Sequence, residues 1–152
     1  MIFAVIERMK LILLLVAPLV LQAQAPAPVV GSVKIVHGAA SIQRGSQVIP
    51  AAEGAHLLAH DSLRTAADGS MGVILQDGTR VSLGPNTTVE IDRFTYEPVD
   101  GKFSLLLRLS RGVLAYISGK IAQFSPGAVQ VETPVGIVGL RGTELAISLG
   151  AL

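Results

Sequence analysis

Three glycines near the end of the chain have a spacing that could form a phosphate-binding loop. Gly136, Gly139 and Gly142 lie three residues apart in the segment VETPVGIVGLRGTELAI. A dinucleotide-binding loop needs its glycines at a turn from a strand into a helix, so that the helix N-terminus meets the phosphates. Here the alternating segment TELAI follows, and alternation predicts a strand. We therefore interpret the glycines as a bend between two strands, at a place where larger side chains would collide.

Two histidines, His56 and His60, could bind a metal together with Asp61, which follows the second of them. Zinc needs three or four ligands, and a spacing of four residues brings two histidines together only on a helix. The third histidine, His37, lies in a different predicted turn. We therefore predict structural or exposed histidines, with no metal site and no cofactor.

Two pairs of carboxylates could act as acid and base. Glu90 and Asp92 share one face of a predicted strand, and Glu97 and Asp100 lie near a turn. Glycoside hydrolysis needs two carboxylates that flank the scissile bond, and the chain has only four Phe and two Tyr to line a sugar-binding cleft. Nucleophilic catalysis is not indicated either, because the chain contains no cysteine and no Gly-x-Ser-x-Gly motif. These patterns predict solvated strand faces and a protein that is not an enzyme.

The elements that carry these residues are predicted to be short strands. Half of the 152 residues are apolar but only 4% are aromatic, so the core must consist of Val, Ile, Leu and Ala. Apolar residues alternate with polar ones in about ten runs, and Asp-Gly, Gly-Pro and Pro-Gly turns separate these runs. Only Ala51–Ala59 has a weak helical pattern. The sequence therefore predicts one all-β domain, either sandwich-like or a flattened β-roll in which each turn of the chain adds a strand to both faces.

Residues 1–25 have the pattern of an export signal. A basic residue precedes an apolar run of about a dozen residues that ends in Ala-Gln-Ala, and this run is shorter than the roughly 20 residues of a membrane span. Met9 is an alternative start, and Pro26 directly after the cleavage site is expected to hinder the signal peptidase. We expect a periplasmic protein, with an uncleaved inner-membrane anchor as the alternative, and a linker at 26–30.

The charge of the chain outside residues 1–25 is balanced. Those residues hold two of the 12 basic and one of the 11 acidic residues, which leaves ten of each sign. A neutral surface gives no electrostatic basis for nucleic-acid binding, and no nucleic-acid-binding motif is present. We therefore predict no nucleic-acid partner, and a membrane contact only if the signal segment is retained.

Four short patterns occur in an order that resembles the FecR domain of bacterial envelope proteins. HDSLRT, from residue 60, is similar to the family's Gly-Asp-x-Ile/Leu-x-Thr, and LQDGTRVSL, from residue 75, is similar to its Asp-Gly-Ser/Thr strand entry. LSRGVL, from residue 109, resembles Leu-x-x-Gly-x-Leu, while VETP and LRGTEL, from residues 131 and 140, resemble Val-x-Thr-Pro and Val-Arg-Gly-Thr-x-Phe. The resemblance implies structural roles for Asp61, Thr65, Asp77, Gly78, Gly112, Thr133, Pro134, Arg141, Gly142 and Thr143.

The resemblance implies an all-β periplasmic domain over residues 31–148. In the founding members this domain is the outer part of a membrane-spanning regulator, which receives a signal from an iron transporter of the outer membrane and passes it to a sigma factor. The sequence shows no segment for binding a sigma factor, so we expect a stand-alone, secreted FecR-domain protein. Similar proteins continue with further hairpins, so we expect either a short variant or a truncated C-terminal end.

The function that this resemblance implies is non-catalytic. We expect a protein-interaction or envelope-signalling module whose partner is an unknown envelope protein, bound by strand addition at an exposed apolar edge. The alternative is a cell-wall or polysaccharide-binding protein, against which the few aromatic residues count. We further expect Arg141 to hold a turn by donating hydrogen bonds to backbone carbonyls or to a carboxylate such as Asp77.

Overall fold

The computed structural model describes residues 21–22, 25 and 27–150, so most of the predicted signal segment lies outside the described residues. Within these residues, no helix is both long enough and apolar enough to span a membrane. The first strand begins at Val29, inside the predicted linker. The elements are β1 (Val29–His37), β2 (Ala40–Arg44), β3 (Gln47–Pro50), β4 (His56–Leu58), β5 (Ser62–Thr65), β6 (Ser70–Leu75), β7 (Arg80–Leu83), β8 (Thr88–Glu97), β9 (Lys102–Ile117), α1 (Lys120–Phe124), β10 (Val129–Thr133), β11 (Gly136–Gly139) and β12 (Glu144–Leu149).

The strands form one curled, mainly antiparallel sheet that has two halves, which confirms the predicted all-β fold. The first half has the strand order β4-β1-β6-β7-β9-β12 and the second half has the order β3-β2-β5-β8-β9-β10-β11. Strand β9 belongs to both, because residues 102–111 pair with β8 and residues 114–117 pair with β7. The chain crosses repeatedly from one half to the other and adds neighbouring strands to each, as in the flattened roll.

Strand β10 runs parallel to β9, and the short helix α1 lies on the connection between them. Two parallel neighbours need such a crossover connection, because a tight turn reverses the chain direction and therefore joins only antiparallel strands. The sequence pattern did not predict α1, which has five residues and is anchored by the fully buried Ile121. The weak helical pattern at Ala51–Ala59 forms a turn and β4 instead.

The core lies between the two halves and is built from alternate residues of their strands. Val, Ile and Leu dominate it, as the composition predicts, but Met71 and Tyr116 are also buried there. The alanines that pack against the core are only partly buried and lie at its margin. The buried apolar residues are Val30, Val33, Ile42, Leu57, Leu63, Met71, Val73, Leu75, Val81, Leu83, Val89, Ile91, Leu105, Leu107, Leu109, Leu114, Tyr116, Ile121, Val129, Val131 and Leu140.

Gly112 is the residue at which β9 passes from one half of the sheet to the other. Its φ is +94°, and a Cβ at this position would lie 2.5 Å from the Cα of Thr87 and would also collide with the Thr87 hydroxyl. That hydroxyl accepts a hydrogen bond from the N–H of Val113 at 2.9 Å. Only glycine combines this backbone conformation with so close an approach.

We predict that Gly112→Ala lowers the free energy of unfolding by about 3 kcal/mol, because strain at a positive φ adds to a steric clash. The matched control is Gly127→Ala, since Gly127 has a φ of +92° but nothing within 4 Å of the added Cβ. That variant should lose only about 1 kcal/mol. Urea unfolding followed by far-UV circular dichroism measures both, and equal losses would contradict a special role for the contact with Thr87.

Candidate functional site

Asp61 is fully buried and holds the loop between β4 and β5 in place. Arg44 on β2 donates two hydrogen bonds to its carboxylate, from Nε to Oδ1 at 2.9 Å and from Nη2 to Oδ2 at 2.8 Å. The N–H of Leu58 also donates to Oδ2 at 2.8 Å. The hydrogen bond with Asp61 raises the pKa of Arg44. This two-pronged geometry is the one that a guanidinium forms best with a carboxylate.

Asp77 is the second buried carboxylate, and it is held by uncharged donors. Its Oδ1 accepts the N–H of Thr79 at 3.0 Å, while its Oδ2 accepts the Thr79 hydroxyl at 2.7 Å and the N–H of Ile121 at 3.1 Å. This aspartate therefore bonds to the backbone of its own Asp-Gly turn, and Gly78 supplies the positive φ of 85° in that turn. Because Ile121 lies in the first turn of α1, Asp77 also fixes the helix against the β6–β7 hairpin.

Tyr116 lies in the core close to Asp77, and its hydroxyl is buried without a hydrogen-bond partner. The Thr79 hydroxyl is a near neighbour, but it donates its proton to Asp77. Burial, reinforced by the charge of Asp77, raises the pKa of Tyr116 to about 12. A phenolate here would be both desolvated and repelled by the carboxylate.

Thr65 and Thr87 form a hydroxyl network at the point where β9 changes halves. Thr65 Oγ1 donates to the carbonyl of Gly84 at 2.6 Å and accepts the N–H of Thr87 at 3.0 Å. Both threonines are buried, so each bond satisfies a group that water cannot reach. No motif in the sequence indicated a role for Thr87. Its alternation with Val89 and Ile91, however, places it on the buried face of the strand.

Thr133 and Pro134 form the turn that joins β10 to β11. Strand β10 ends at Thr133, as expected for the residue before a proline at a strand boundary. Thr133 Oγ1 donates to the carbonyl of Gly136 at 2.9 Å and accepts the N–H of Val135 at 3.3 Å. The glycine-rich segment is therefore a joint between strands, as predicted, and not a phosphate-binding loop.

The role expected for Arg141 is wrong. Its side chain is exposed and makes no hydrogen bond or ion pair with any described residue, while Asp77 is bonded to Thr79 and Ile121. The expected collision at the glycines is also wrong, because a Cβ at Gly139 would meet nothing within 4 Å and one at Gly142 only an oxygen at 3.9 Å. The segment is held instead by backbone bonds, from the N–H of Leu140 to the carbonyl of Val129 at 3.0 Å and from the N–H of Ser118 to the carbonyl of Thr143 at 2.8 Å.

The β11 edge, which we define as residues 135–139, is the most exposed apolar part of the sheet. β11 pairs with β10 on one side only, so its other side presents unpaired backbone groups within the described chain. The side chains of Val135 and Ile137 are 89% and 64% exposed, and that of Val138 is also exposed. No charged residue occurs between Glu132 and Arg141.

A groove of about 850 Å³ lies beside this edge, between the β10–β11 turn and the end of β12. Among its lining residues Arg111 is the only charged one, and Pro85, Pro134 and Leu149 are among the apolar ones. It contains no pair of groups that could act together as acid and base. The groove therefore extends the apolar surface of the β11 edge.

In the folded chain, the neighbours of His60 are not the residues that the sequence spacing suggested. It lies with Glu90 and Asp92, and one ligand atom from each of these three residues lies within 4.8 Å of the other two. His56 and His37 do not belong to this group. Arg108 contacts both carboxylates, at 3.8 Å from Glu90 and 3.6 Å from Asp92. Within the described residues, this is the one cluster of His and carboxylate groups with the spacing of metal ligands.

We predict that Arg44→Lys lowers the free energy of unfolding by about 2 kcal/mol, because lysine cannot reproduce the two-pronged bond to the buried Asp61. The matched control, Arg141→Lys, should change it by less than about 0.5 kcal/mol, as is usual for a free surface side chain. Urea unfolding of both variants measures the difference. A larger loss at Arg141 than at Arg44 would reverse the assignment.

We also predict that the protein loses stability as the pH rises from 10 towards 12. In that window the unfolded state releases the Tyr116 proton while the folded state keeps it, so the free energy of unfolding falls with pH. Tyr116→Phe should remove this component, and it should add about 1 kcal/mol at neutral pH by deleting an unpaired buried hydroxyl. Tyr96→Phe, at a half-buried tyrosine, is the control. Parallel pH profiles for wild type and Tyr116→Phe would contradict the prediction.

Residues 61–151, well over half of the chain, match the family model described as FecR protein. The match begins at the buried Asp61, and strands β1–β4 before it belong to the same sheet. No curated protein and no solved structure shows a significant match to the chain. The FecR family is associated with signalling in the cell envelope and is not a known family of enzymes. The chain therefore belongs to the FecR family.

Proposed function

We propose that this chain is a non-catalytic periplasmic protein that acts as a protein-interaction module in envelope signalling. The observation that carries the proposal is the β11 edge, where exposed apolar side chains accompany unpaired backbone groups. The interior is occupied by side chains and by buried structural carboxylates, which leaves the surface as the place of recognition.

The four outer strands of the sheet differ in how well they are protected against pairing. β3 ends in Pro50, β4 has only three residues, and β12 carries Glu144. Short length, proline and charge are the devices by which edge strands avoid association. The sequence of β11 is GIVG, with neither charge nor proline inside the strand. It is the edge best suited to accept another strand.

The occupant that fits this edge is an extended, uncharged apolar segment of an envelope protein. Such a segment would pair its backbone with β11, while alternate side chains would contact Ile137, Val138 and the adjoining apolar groove. Backbone pairing provides affinity, and the side chains provide selectivity. A second copy of this chain offers the same chemistry, and the experiment below distinguishes it.

Binding of a polysaccharide has less support. Sugar rings stack on free aromatic faces, but here Phe103 is stacked on Phe124, with ring centroids 5.5 Å apart, and lies against the tilted ring of Tyr96 at 6.1 Å. Only Phe124 of the three is largely exposed.

We predict that a photo-reactive residue at Ile137 cross-links one envelope protein in living cells, through an extended segment of that protein. A peptide with the sequence of that segment should bind the purified chain, and Ile137→Lys should weaken this binding at least tenfold, because a charge enters the apolar contact. Val48→Lys, at an exposed residue of the β3 edge, is the matched control and should bind normally.

Three outcomes would contradict the proposal. Cross-links from position 137 that reach only a second copy of the chain would indicate self-association. Equal cross-linking from positions 48 and 137 would indicate non-specific contact. A peptide whose affinity does not change in Ile137→Lys would place the binding site elsewhere.

A further inference from the structure

The outer face of the second half of the sheet carries a row of polar side chains across neighbouring strands. Glu90 on β8 is opposite Arg108 on β9, and Arg108 is opposite Glu132 on β10. His60, just before β5, lies next to this row because its backbone N–H donates a hydrogen bond to the carbonyl of Ile91 at 2.7 Å. The row continues the pairing of β5 with β8, and it lies on the face of the sheet that is turned away from the core.

Two irregularities of the backbone bring the ligand atoms of this row together. Asp92 is the extra residue of a bulge, because Ile91 and Arg93 pair with consecutive residues of β9, and a bulge re-aims a side chain. His60 has a φ of +69°, in the left-handed region that residues other than glycine seldom adopt. As a result the imidazole lies beside Glu90 and Asp92 on one patch of surface.

The charges of the row are not balanced. Arg108 is the cation that three carboxylates share: Glu90 at 3.8 Å, Asp92 at 3.6 Å and Glu132 at 3.4 Å. Their fields, that of Asp92 first, raise the pKa of Arg108. Three negative charges against one positive charge leave two in excess, which is the charge of one divalent cation.

The His60 side chain forms no hydrogen bond and no ion pair within 4.0 Å with any residue that the structure describes. Its nitrogens are therefore free to bind a ligand. The spacing of the three ligand atoms, within 4.8 Å, is wider than the roughly 3.3 Å between ligands around a tetrahedral zinc ion. The difference is small enough for side-chain rotation at the surface to close it, since all three groups are at least partly exposed.

We propose that His60, Glu90 and Asp92 form a surface site for a divalent transition-metal ion of the zinc class. One imidazole nitrogen and two carboxylate oxygens are a ligand set that zinc accepts, and three protein ligands leave a fourth position open for water or for a group from a bound molecule. Arg108 contacts both carboxylates and helps to orient them. The site is separate from the β11 edge, so it stands without the proposed function.

The test is calorimetric titration of zinc chloride into the full, untagged chain in a mild detergent after treatment with a chelator. One ion should bind per chain. His60→Asn and Glu90→Gln should each weaken binding at least tenfold, or about 1.4 kcal/mol. Asparagine suits the left-handed conformation at residue 60, so that variant keeps its fold. His56→Asn, at an exposed histidine outside the cluster, is the matched control and should bind as wild type does.

Unfolding in urea gives a second, independent measurement of zinc binding, which does not require an activity assay. Zinc should raise the resistance of wild type to unfolding, because the ion binds the folded chain preferentially, and it should not raise that of His60→Asn. Without zinc the two proteins should unfold at similar urea concentrations. The proposal is overturned if wild type binds no zinc at millimolar concentration, if His60→Asn binds as tightly as wild type, or if His56→Asn loses as much affinity as His60→Asn.

Discussion

The fold depends on one region of the structure. Four segments in which the chain crosses from one half of the sheet to the other lie side by side there. The turn after β1, the turn after β5, the β7–β8 connection and the bend of β9 are neighbours there, because Ala66 bonds to Ala39, Asn86 to Ala66 and Gly84 to Val113. The hydroxyls of Thr65 and Thr87 link the last three of them. The strands on either side of these crossings are neighbours in the sheet, in the order β1-β6-β7-β9 in the first half and β2-β5-β8-β9 in the second.

Two buried carboxylates, Asp61 and Asp77, link further elements of the structure to one another. Asp61 connects the loop before β5 to β2 through Arg44, and Asp77 connects the β6–β7 hairpin to α1. The first is paired with a guanidinium and the second is stabilised by N–H and O–H hydrogen bonds, so neither is left buried without partners. Gly119 belongs to the second link, because a Cβ there would lie 2.7 Å from the carbonyl oxygen of Asp77. Through these contacts Asp61 and Asp77 act as structural residues that hold neighbouring elements together.

Local patterns predict local structure in this chain, and they fail where a contact joins distant residues. The alternation of apolar residues, the bond of Asp77 to its own turn and the strand end at Pro134 depend on neighbours in sequence, and each is observed. The bond from Arg44 to Asp61 spans 17 residues, and nothing in the pattern around Arg44 indicates it. Arg141 shows the opposite kind of error. Its position in a motif suggested a side-chain hydrogen bond, but none is formed with any described residue.

The same reasoning applies to the candidate sites. Sequence spacing groups His60 with His56, because proximity along the chain is the only distance that a sequence displays. Pairing of β5 with β8 and the bulge at Asp92 group it with two carboxylates instead, and neither register nor a bulge can be read from residue types alone. The exposed edge was partly predictable, because an apolar strand without charge near a proline turn is visible in the sequence. Which strand lies at the edge depends on the parallel placement of β10, and that placement follows from a helix which the sequence pattern did not indicate.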